Sequence, residues 1–324
     1  MKALVYDGVE TLTFRDVADA TVGAGQELVR IKSSGICGSD MHAYLGHDAR
    51  RPAPLILGHE AAGVIAAGPR TGDRVTINPL VGCGVCRYCK TGRDNLCPDR
   101  KIISMPPREG AFAELLAMRP ENLVTVPDHV PFDKAALAEP LAVSWHSVRL
   151  GLSALDSGAS QTALVLGGGA IGVAAALALK AQGFADVTLA EPNETRRQFV
   201  ENQCLIPSVP AGTEQYGMVV DAVGYAATRE IASALTEPGG VIVHIGLGED
   251  LGGLDVRRMT LQEITFIGTY TYTPQDFRDT CAAIFDGRLG PLDWTEQRDL
   301  SEGAAAFADL RAGRVAAPKI ILHP

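Results

Sequence analysis

Hydrophobic positions divide the chain into two regions with different periodicity. Up to about residue 145, short apolar segments such as LVRIKSSG, AAGVIAAG and DRVTINP alternate with turns rich in Gly, Pro and Asp. Alternation of apolar and polar residues is typical of half-buried strands. From about Gln161, apolar runs such as TALVL, DVTLA and GMVVD alternate with helical stretches. This order predicts a β-rich region followed by a doubly wound, parallel α/β sheet.

The carboxy-terminal part returns to mixed helix and strand after Gly268. It ends in APKIILH, a short apolar run that we expect to add a strand to the first region. The chain has 324 residues, which suits two domains at roughly 150 residues each. The sequence therefore predicts one domain formed by 1–145 together with 275–324, and a second formed by 146–274.

The charge distribution argues against nucleic acid or a membrane as a partner. The chain has 29 Lys and Arg against 38 Asp and Glu, a net charge of -9, and no run of basic residues. Its first residues, MKALVYDGVETLTF, lack the apolar core of a signal peptide, so we expect a cytoplasmic protein. The apolar segment 162–181 has the length of a membrane span, but three glycines near its start favour a strand that turns into a helix.

A glycine motif follows the apolar strand TALVL. Gly167, Gly169 and Gly172 form G-x-G-x-x-G, and a helical Ala/Leu stretch comes next. In this motif the first glycine permits a tight turn, the second lets the backbone approach a pyrophosphate, and the third lets the helix pack on the strand. The amino terminus of the helix presents free N–H groups to the phosphates. The sequence thus predicts a dinucleotide-binding loop made of Gly167, Gly169, Ala170, Ile171 and Gly172.

An acidic residue stands where the next predicted strand ends. Glu191 follows DVTLA, 19 residues after Gly172. A carboxylate there accepts hydrogen bonds from both ribose hydroxyls and repels a 2′-phosphate, so NAD is favoured over NADP. Arg196 and Arg197 come shortly afterwards. Two interpretations of them stay open, because they could bind a 2′-phosphate or form an exposed helix face.

Four of the seven cysteines are clustered. Cys83, Cys86, Cys89 and Cys97 have the spacing C-x2-C-x2-C-x7-C, with glycines between them that allow tight reversals. Such spacing in a long chain without secretory features indicates a closed, tetrahedral and therefore structural zinc site. An iron–sulfur cluster is the competing interpretation because Pro98 follows the last cysteine, although ferredoxins have a shorter final gap and a second set of cysteines.

A second group of potential metal ligands is spread along the chain. It consists of Cys37 in GICGSDMH, His59 and Glu60 in LGHEAAG, and Glu139 in LAEPLAV. Each residue alone has an ordinary structural explanation as a buried thiol, a core histidine or a helix-terminal carboxylate. Three protein ligands with one open position would let a zinc ion act as a Lewis acid.

These motifs together resemble a known family. GICGSDMH, LGHEAAG, the four cysteines, AEPLAV, VLGGGAIG and EITFIGTY occur in the order and with roughly the gaps found in medium-chain, zinc-dependent alcohol dehydrogenases. The chain is most similar to the branch of polyol, threonine and butanediol dehydrogenases. The resemblance implies a GroES-like catalytic domain joined to a Rossmann domain, with two zinc ions per subunit and NAD. It also implies that Cys37 and His59 bind the catalytic zinc and that Glu60 or Glu139 completes the site.

The same resemblance implies a set of catalytic roles. Ser39 is expected to accept the proton of the substrate hydroxyl, and His42 to pass it on to water. Asp40 is expected to orient the ligating imidazole. The catalytic residues implied are Ser39, His42, Cys37, His59 and Glu60, in a cleft between the domains. Family members assemble through the edge strand of the cofactor domain, so a homodimer or homotetramer is expected.

The chain departs from the family pattern in three places. The stretches 63–73 and 197–219 are shorter than usual, and Thr271 stands where polyol dehydrogenases carry an arginine. The absence of that arginine argues against a sorbitol-like substrate. We therefore expect an NAD-linked dehydrogenase that oxidises a secondary alcohol or polyol to a ketone. The alternatives are an NADP-linked ketone or aldehyde reductase and a non-catalytic dinucleotide-binding protein.

Overall fold

The computed structural model describes all residues from Met1 to Pro324. Its strands, in chain order, are β1 (Lys2–Gly8), β2 (Thr11–Asp16), β3 (Glu27–Gly35), β4 (Leu55–Ile56), β5 (Glu60–Ala67), β6 (Arg74–Ile77), β7 (Leu80–Val81), β8 (Lys101–Ile102), β9 (Leu115–Met118), β10 (Leu123–Thr125), β11 (Thr162–Leu166), β12 (Asp186–Ala190), β13 (Ser208–Val209), β14 (Tyr216–Asp221), β15 (Thr236–His244), β16 (Thr265–Gly268), β17 (Thr295–Asp299) and β18 (Lys319–His323).

Ten α-helices and three short 3-10 turns connect the strands. The helices are α1 (Gly38–Tyr44), α2 (Arg87–Lys90), α3 (Phe132–Ala136), α4 (Ala138–Ala154), α5 (Ala170–Ala181), α6 (Glu194–Cys204), α7 (Ala226–Leu235), α8 (Val256–Leu261), α9 (Pro274–Phe285) and α10 (Gly303–Arg311); the 3-10 turns are Asp94–Leu96, Pro120–Asn122 and Leu300–Glu302. None of these helices combines the length and the hydropathy that crossing a membrane requires.

The chain forms two compact units. The first contains Met1–Glu139, Thr273–Asp286 and Thr295–Pro324, and the second contains Pro140–Tyr272 and Gly287–Trp294. The first unit is β-rich: one sheet has the order β10-β6-β5-β3-β18-β17 with β9 also paired to β3, and smaller sheets are β2-β1-β4 and β7-β8. The expectation that APKIILH adds a strand to the first region is confirmed, since β18 pairs with β3 and β17.

The second unit is a parallel six-stranded sheet with the order β13-β12-β11-β14-β15-β16. This is the doubly wound arrangement, in which the order reverses between β11 and β14. The strands are apolar runs because helices cover both faces of such a sheet. The segment 162–181 is β11, a glycine turn and α5, as predicted.

Candidate metal centres and cofactor loop

The pairing of β3 with β5 brings distant residues of the first unit together. Gly35, the last residue of β3, lies opposite Glu60, the first residue of β5. Cys37 follows β3 and precedes α1, and His59 immediately precedes β5. A Cβ atom on Gly35 would lie 2.1 Å from Oε2 of Glu60, so only glycine permits this approach. One end of a strand pair therefore presents a thiol, an imidazole and a carboxylate.

The side chains of Cys37, His59 and Glu60 converge. One ligand atom from each lies within 4.8 Å of the others. Glu139 does not belong to this group; it is buried near the start of α4. The sequence left the choice between Glu60 and Glu139 open, and the geometry favours Glu60.

Asp40 organises the two ligand segments. Its buried carboxylate accepts hydrogen bonds from the backbone N–H of Cys37 at 3.1 Å and of Gly58 at 3.2 Å, and it lies 3.4 Å from Nδ1 of His59. Burial by itself would raise the pKa of Asp40, but His59, Arg51 and the amide of Cys37 lower it. Burial opposes protonation of His59, yet the negative charges of Asp40 and Cys37 raise the pKa of this imidazole well above its usual value.

Glu60 has two carboxylate oxygens in different situations. Oε1 accepts a hydrogen bond from Nζ of buried Lys319 at 2.7 Å, and the same ammonium donates to the carbonyl of Ile36 at 2.8 Å. Oε2 is buried and has no hydrogen-bond partner. An unpartnered carboxylate oxygen beside a thiol and an imidazole is a donor set that suits zinc, which takes S, N and O ligands. The residues of this group therefore fit a zinc ion.

Two hydroxyl groups flank the imidazole of His59. Oγ of Ser39 lies 3.5 Å from Nε2, and Oγ of buried Ser104 lies 3.4 Å from Nδ1. His42 is exposed on α1, with its ring 6.3 Å from that of His47. Ser39 is near the candidate ligands and His42 faces solvent, which suits the roles that the resemblance implies for them.

Ser104 and Lys319 are among the residues of this site that sequence reasoning missed. Ser104 has no local signal, since it is 45 residues away from His59 in the chain. Lys319 is 259 residues away from Glu60, but it is the first residue of an apolar strand that has a neighbouring strand on each side. A lysine inside a buried strand requires a buried partner. That rule could have identified the lysine as part of an ion pair, although not its partner.

The four clustered cysteines also converge. Their sulfur atoms all lie within 4.8 Å of one another, with Cys86 and Cys89 3.6 Å apart and Cys83 and Cys89 4.0 Å apart. Four sulfurs about 2.3 Å from one zinc ion in tetrahedral geometry are about 3.8 Å apart. Backbone amides of Val85 and Cys86 lower the pKa of Cys83 to about 7, whereas burial raises the pKa of Cys97, and raises that of Cys89 to about 12. Four sulfurs this close together need a cation to be thiolates at the same time. This group fits a closed, structural zinc site.

The glycine loop of the second unit connects β11 to α5. Gly167 has a φ of 99°, and a Cβ atom on Gly172 would lie 1.8 Å from the carbonyl oxygen of Gly167. Gly169 precedes the first helical residue, Ala170, and a Cβ atom there would meet open space. The loop therefore has one glycine for the turn, one at an open surface and one at the strand–helix contact, as a pyrophosphate loop requires.

Glu191 is attached to this loop. Its Oε2 accepts a hydrogen bond from the N–H of Gly168 and its Oε1 from the N–H of Asn193, both at 2.8 Å. Nη1 of Arg196 lies 3.9 Å from Oε2. Arg197 donates to the backbone carbonyl of Glu191 at 3.0 Å. Glu191 thus directly follows β12, and its carboxylate holds the glycine loop, a contact that the spacing did not predict.

Comparisons with known proteins place this geometry in a family. The alcohol dehydrogenase GroES-like domain matches residues 23–128. D-altritol 5-dehydrogenase from Agrobacterium fabrum (strain C58) is 35% identical over 259 residues, covering 75% of each protein. L-galactonate-5-dehydrogenase from Escherichia coli (strain K12) is 30% identical over 308 residues, covering 89% of this chain and 88% of that protein.

A solved structure shows the same fold over the whole chain. The acetophenone reductase from Geotrichum candidum, determined in complex with NAD, superposes with a TM-score of 0.85 at 24% identity, covering 100% of this chain and 97% of that one. The expected GroES-like and Rossmann architecture is confirmed. The chain belongs to the medium-chain, zinc-dependent alcohol dehydrogenase family, in its polyol dehydrogenase branch, and is an oxidoreductase that acts on CH–OH groups.

Proposed function

We propose that this protein oxidises a secondary alcohol or polyol to the corresponding ketone, with transfer of a hydride to NAD. The observation that carries the proposal is the buried group of Cys37, His59 and Glu60 with the hydroxyl of Ser39 beside it. Relatives named for 5-dehydrogenation of altritol and galactonate support a polyhydroxylated substrate. The closed four-sulfur group has a structural role, since it leaves no position for a substrate.

The residues of the first unit have separate roles in this reaction. Cys37, His59 and Glu60 would hold the catalytic zinc, which supplies Lewis acidity that favours loss of the hydroxyl proton. Ser39 accepts that proton, and exposed His42 transfers it to water. Asp40 keeps Nδ1 of His59 occupied, so that Nε2 is the ring nitrogen available to the metal.

The residues of the second unit bind the cofactor. The loop that receives the pyrophosphate consists of Gly167, Gly169, Ala170, Ile171 and Gly172. Glu191 accepts hydrogen bonds from the adenosine ribose hydroxyls. Arg196 favours a second candidate, reduction of a ketone or aldehyde with NADPH, because its guanidinium lies close enough to Glu191 to meet a 2′-phosphate. Comparison of initial rates with NAD and NADP distinguishes the two candidates.

The deciding experiment combines metal analysis with a substrate panel. Zinc per chain is measured together with NAD reduction on altritol, hexonates, 2,3-butanediol, threonine and simple secondary alcohols. The Cys37→Ser variant should lose turnover and one of two zinc ions, whereas Cys204→Ala, at a buried thiol of the second unit, should keep both. Full turnover and unchanged zinc in Cys37→Ser would refute the proposed catalytic site.

We also propose that the protein is a homodimer or homotetramer. Strand β16 is the last strand of its sheet and pairs only with β15. The segment between these two strands exposes large apolar side chains, namely Leu247, Leu251, Val256 and Leu261. Unpaired strand edges and exposed apolar patches are typical of subunit contacts. Small-angle scattering should give a multiple of the 34.2 kDa chain mass.

A substitution tests this surface directly. Leu247 and Leu251 are 83% and 84% exposed, so Leu247→Asp with Leu251→Asp should dissociate the oligomer without disturbing the fold. The control is Leu205→Asp, at an exposed leucine that follows α6. A monomeric wild-type protein would contradict the proposal.

We also propose that the protein acts in the cytoplasm. None of the seven cysteines forms a disulfide, which supports action in a reducing environment.

A further inference from the structure

A buried arginine connects the two hydroxyl residues that flank His59. Arg51 is only 3% exposed. Its Nη1 donates to the backbone carbonyl of Ser39 at 3.0 Å, and its Nε donates to the backbone carbonyl of Ser104 at 2.9 Å. Nη1 also donates to Oδ2 of Asp48 at 3.0 Å. One planar guanidinium therefore holds two segments that lie 65 residues apart in the sequence.

These two segments lie on opposite sides of the His59 imidazole. Oγ of Ser39 is 3.5 Å from Nε2 of His59, and Oγ of Ser104 is 3.4 Å from Nδ1. Ser104 has a φ of 65°, in the left-handed region that serine rarely adopts. Such a backbone persists only when its surroundings hold it in place. The hydrogen bond from Arg51 to the carbonyl of Ser104 is one of the contacts that hold it.

The partners of Arg51 favour a positioning role. A buried guanidinium is costly unless it is paired and hydrogen-bonded, and here one carboxylate and two carbonyls meet that requirement. Arg50 also donates to Asp48, from Nε and Nη2 at 2.8 and 2.9 Å, but its side chain is largely exposed, and ion pairs of exposed side chains contribute little. The guanidinium of Arg51 is held by the Asp48 carboxylate and by the backbone carbonyls of the two serines.

We infer that Arg51 is a positioning residue that fixes the geometry on both sides of the His59 imidazole. It thereby helps to retain the catalytic metal and to orient Ser39. The inference rests on the proposed function, because it takes His59 as a zinc ligand. Lysine cannot replace this arginine, since an ammonium is a point charge without a planar fork that bridges two carbonyls. Groups that orient a ligating histidine typically contribute 10- to 100-fold to metal affinity or activity.

The test compares Arg51→Lys with Arg50→Lys. Arg50 is a matched control because it is adjacent, contacts the same aspartate and has a largely exposed side chain. For each variant, zinc release to a chelator is followed well below the melting temperature, and kcat and KM are measured separately. Release from Cys37→Ser, which would retain only the four-cysteine zinc, is subtracted. We expect roughly 10- to 100-fold faster loss of the remaining zinc in Arg51→Lys, a similar fall in kcat and little change in KM.

The outcomes separate this inference from the function on which it rests. If wild-type protein holds no zinc beyond that of Cys37→Ser, the proposed catalytic site fails, and the inference fails with it. If the wild-type protein holds that zinc, but Arg51→Lys and Arg50→Lys have the same rate of zinc release and the same kcat, only the inference is overturned. Should Arg51→Lys not fold, Asp48→Asn takes its place, because it removes the charge that holds the guanidinium of Arg51 against both serine carbonyls. Unchanged zinc release and kcat in a folded Asp48→Asn would likewise overturn it.

Discussion

Glu60 shows how one residue serves packing and chemistry at once. Lys319 holds one carboxylate oxygen, while the other remains buried, unpartnered and close to Cys37 and His59. Burial alone would lower the pKa of Lys319, but the negative charges of Glu60 and Cys37 raise it. The lysine therefore stays charged and leaves one oxygen of Glu60 for a metal.

Replacing Lys319 should lower the free energy of unfolding, because Lys319 is the ion-pair partner of buried Glu60. In zinc-free Lys319→Met, Glu60 becomes a buried carboxylate without a neighbouring cation, so we expect a loss of about 3–5 kcal/mol in the free energy of unfolding relative to the zinc-free wild type. The double variant Glu60→Gln with Lys319→Met removes both charges and should recover most of this loss. Urea unfolding of the two single variants and the double variant gives the coupling energy. Additive effects would show that the two side chains do not interact.

Glu191 should decide the choice of cofactor. Removing its carboxylate in Glu191→Ala removes the repulsion of a 2′-phosphate and releases the amides of Gly168 and Asn193. We expect the preference for NAD over NADP to fall by about tenfold, which corresponds to about 1.4 kcal/mol. Ratios of kcat/KM for the two cofactors measure the change. Adding Arg196→Ala to Glu191→Ala should reverse the gain in kcat/KM with NADP. If Glu191→Ala alone leaves the ratio of kcat/KM for the two cofactors unchanged, the role of this carboxylate is contradicted.

The residues foreseen from the sequence have either a local signature or, like Cys37, His59 and Glu60, a place in motifs that resemble those of the family. The cysteine spacing and the glycine motif fix their own geometry within about 15 residues of chain, and the structure brings each group together. Arg51, Ser104 and Lys319 were not predicted, because their contacts depend on how distant strands pair. Long-range side-chain contacts have no pattern along the chain from which they could be read.

Strands β14 and β15 place a titratable pair at their carboxyl ends. Asp221 and His244 are opposite each other in register, and Nδ1 of His244 lies 3.2 Å from Oδ2 of Asp221. Burial would raise the pKa of Asp221, but hydrogen bonds from His244, Thr228 and the amides of Val223 and Gly224 outweigh it and lower this pKa. The sequence predicted both strands from their apolar runs but gave no sign of the pair, since each residue looks like an ordinary strand end.

This pair predicts how the second unit responds to acid. Because the pKa of Asp221 is lower in the folded than in the unfolded protein, where it is about 3.9, its stabilisation is complete above that value and is lost as the pH falls through the folded pKa. Asp221→Asn should therefore be less stable at neutral pH and lose less stability between about pH 5 and 2. Urea unfolding across this range measures the slope. Asp128→Asn, at a fully exposed aspartate of the first unit, is the control and should leave the slope unchanged. A slope in Asp221→Asn equal to that of the wild type would contradict the prediction.

At the scale of the whole molecule, each unit has its own core and its own ligand chemistry. The cores of the first unit lie around Phe112 and Phe307 and around Ile31 and Ile65, and both candidate zinc groups belong to this unit. The core of the second unit lies along the parallel sheet. The two-part hydrophobic pattern predicted the fold class, β-rich strands followed by a parallel α/β sheet, because strand alternation and βα repetition are properties of long segments that single substitutions do not obscure.

The positions of the two tryptophans allow the unfolding of the second unit to be followed separately. Trp145 and Trp294 are the only tryptophans of the chain, and both belong to the second unit. A metal that binds only the folded state stabilises the unit that holds it, so chelation should destabilise the first unit. We expect an earlier melting component in far-ultraviolet circular dichroism, with little change in the tryptophan fluorescence transition. NAD should have the converse effect and raise the fluorescence midpoint. Equal shifts of both signals on chelation would show instead that the two units unfold as one cooperative structure.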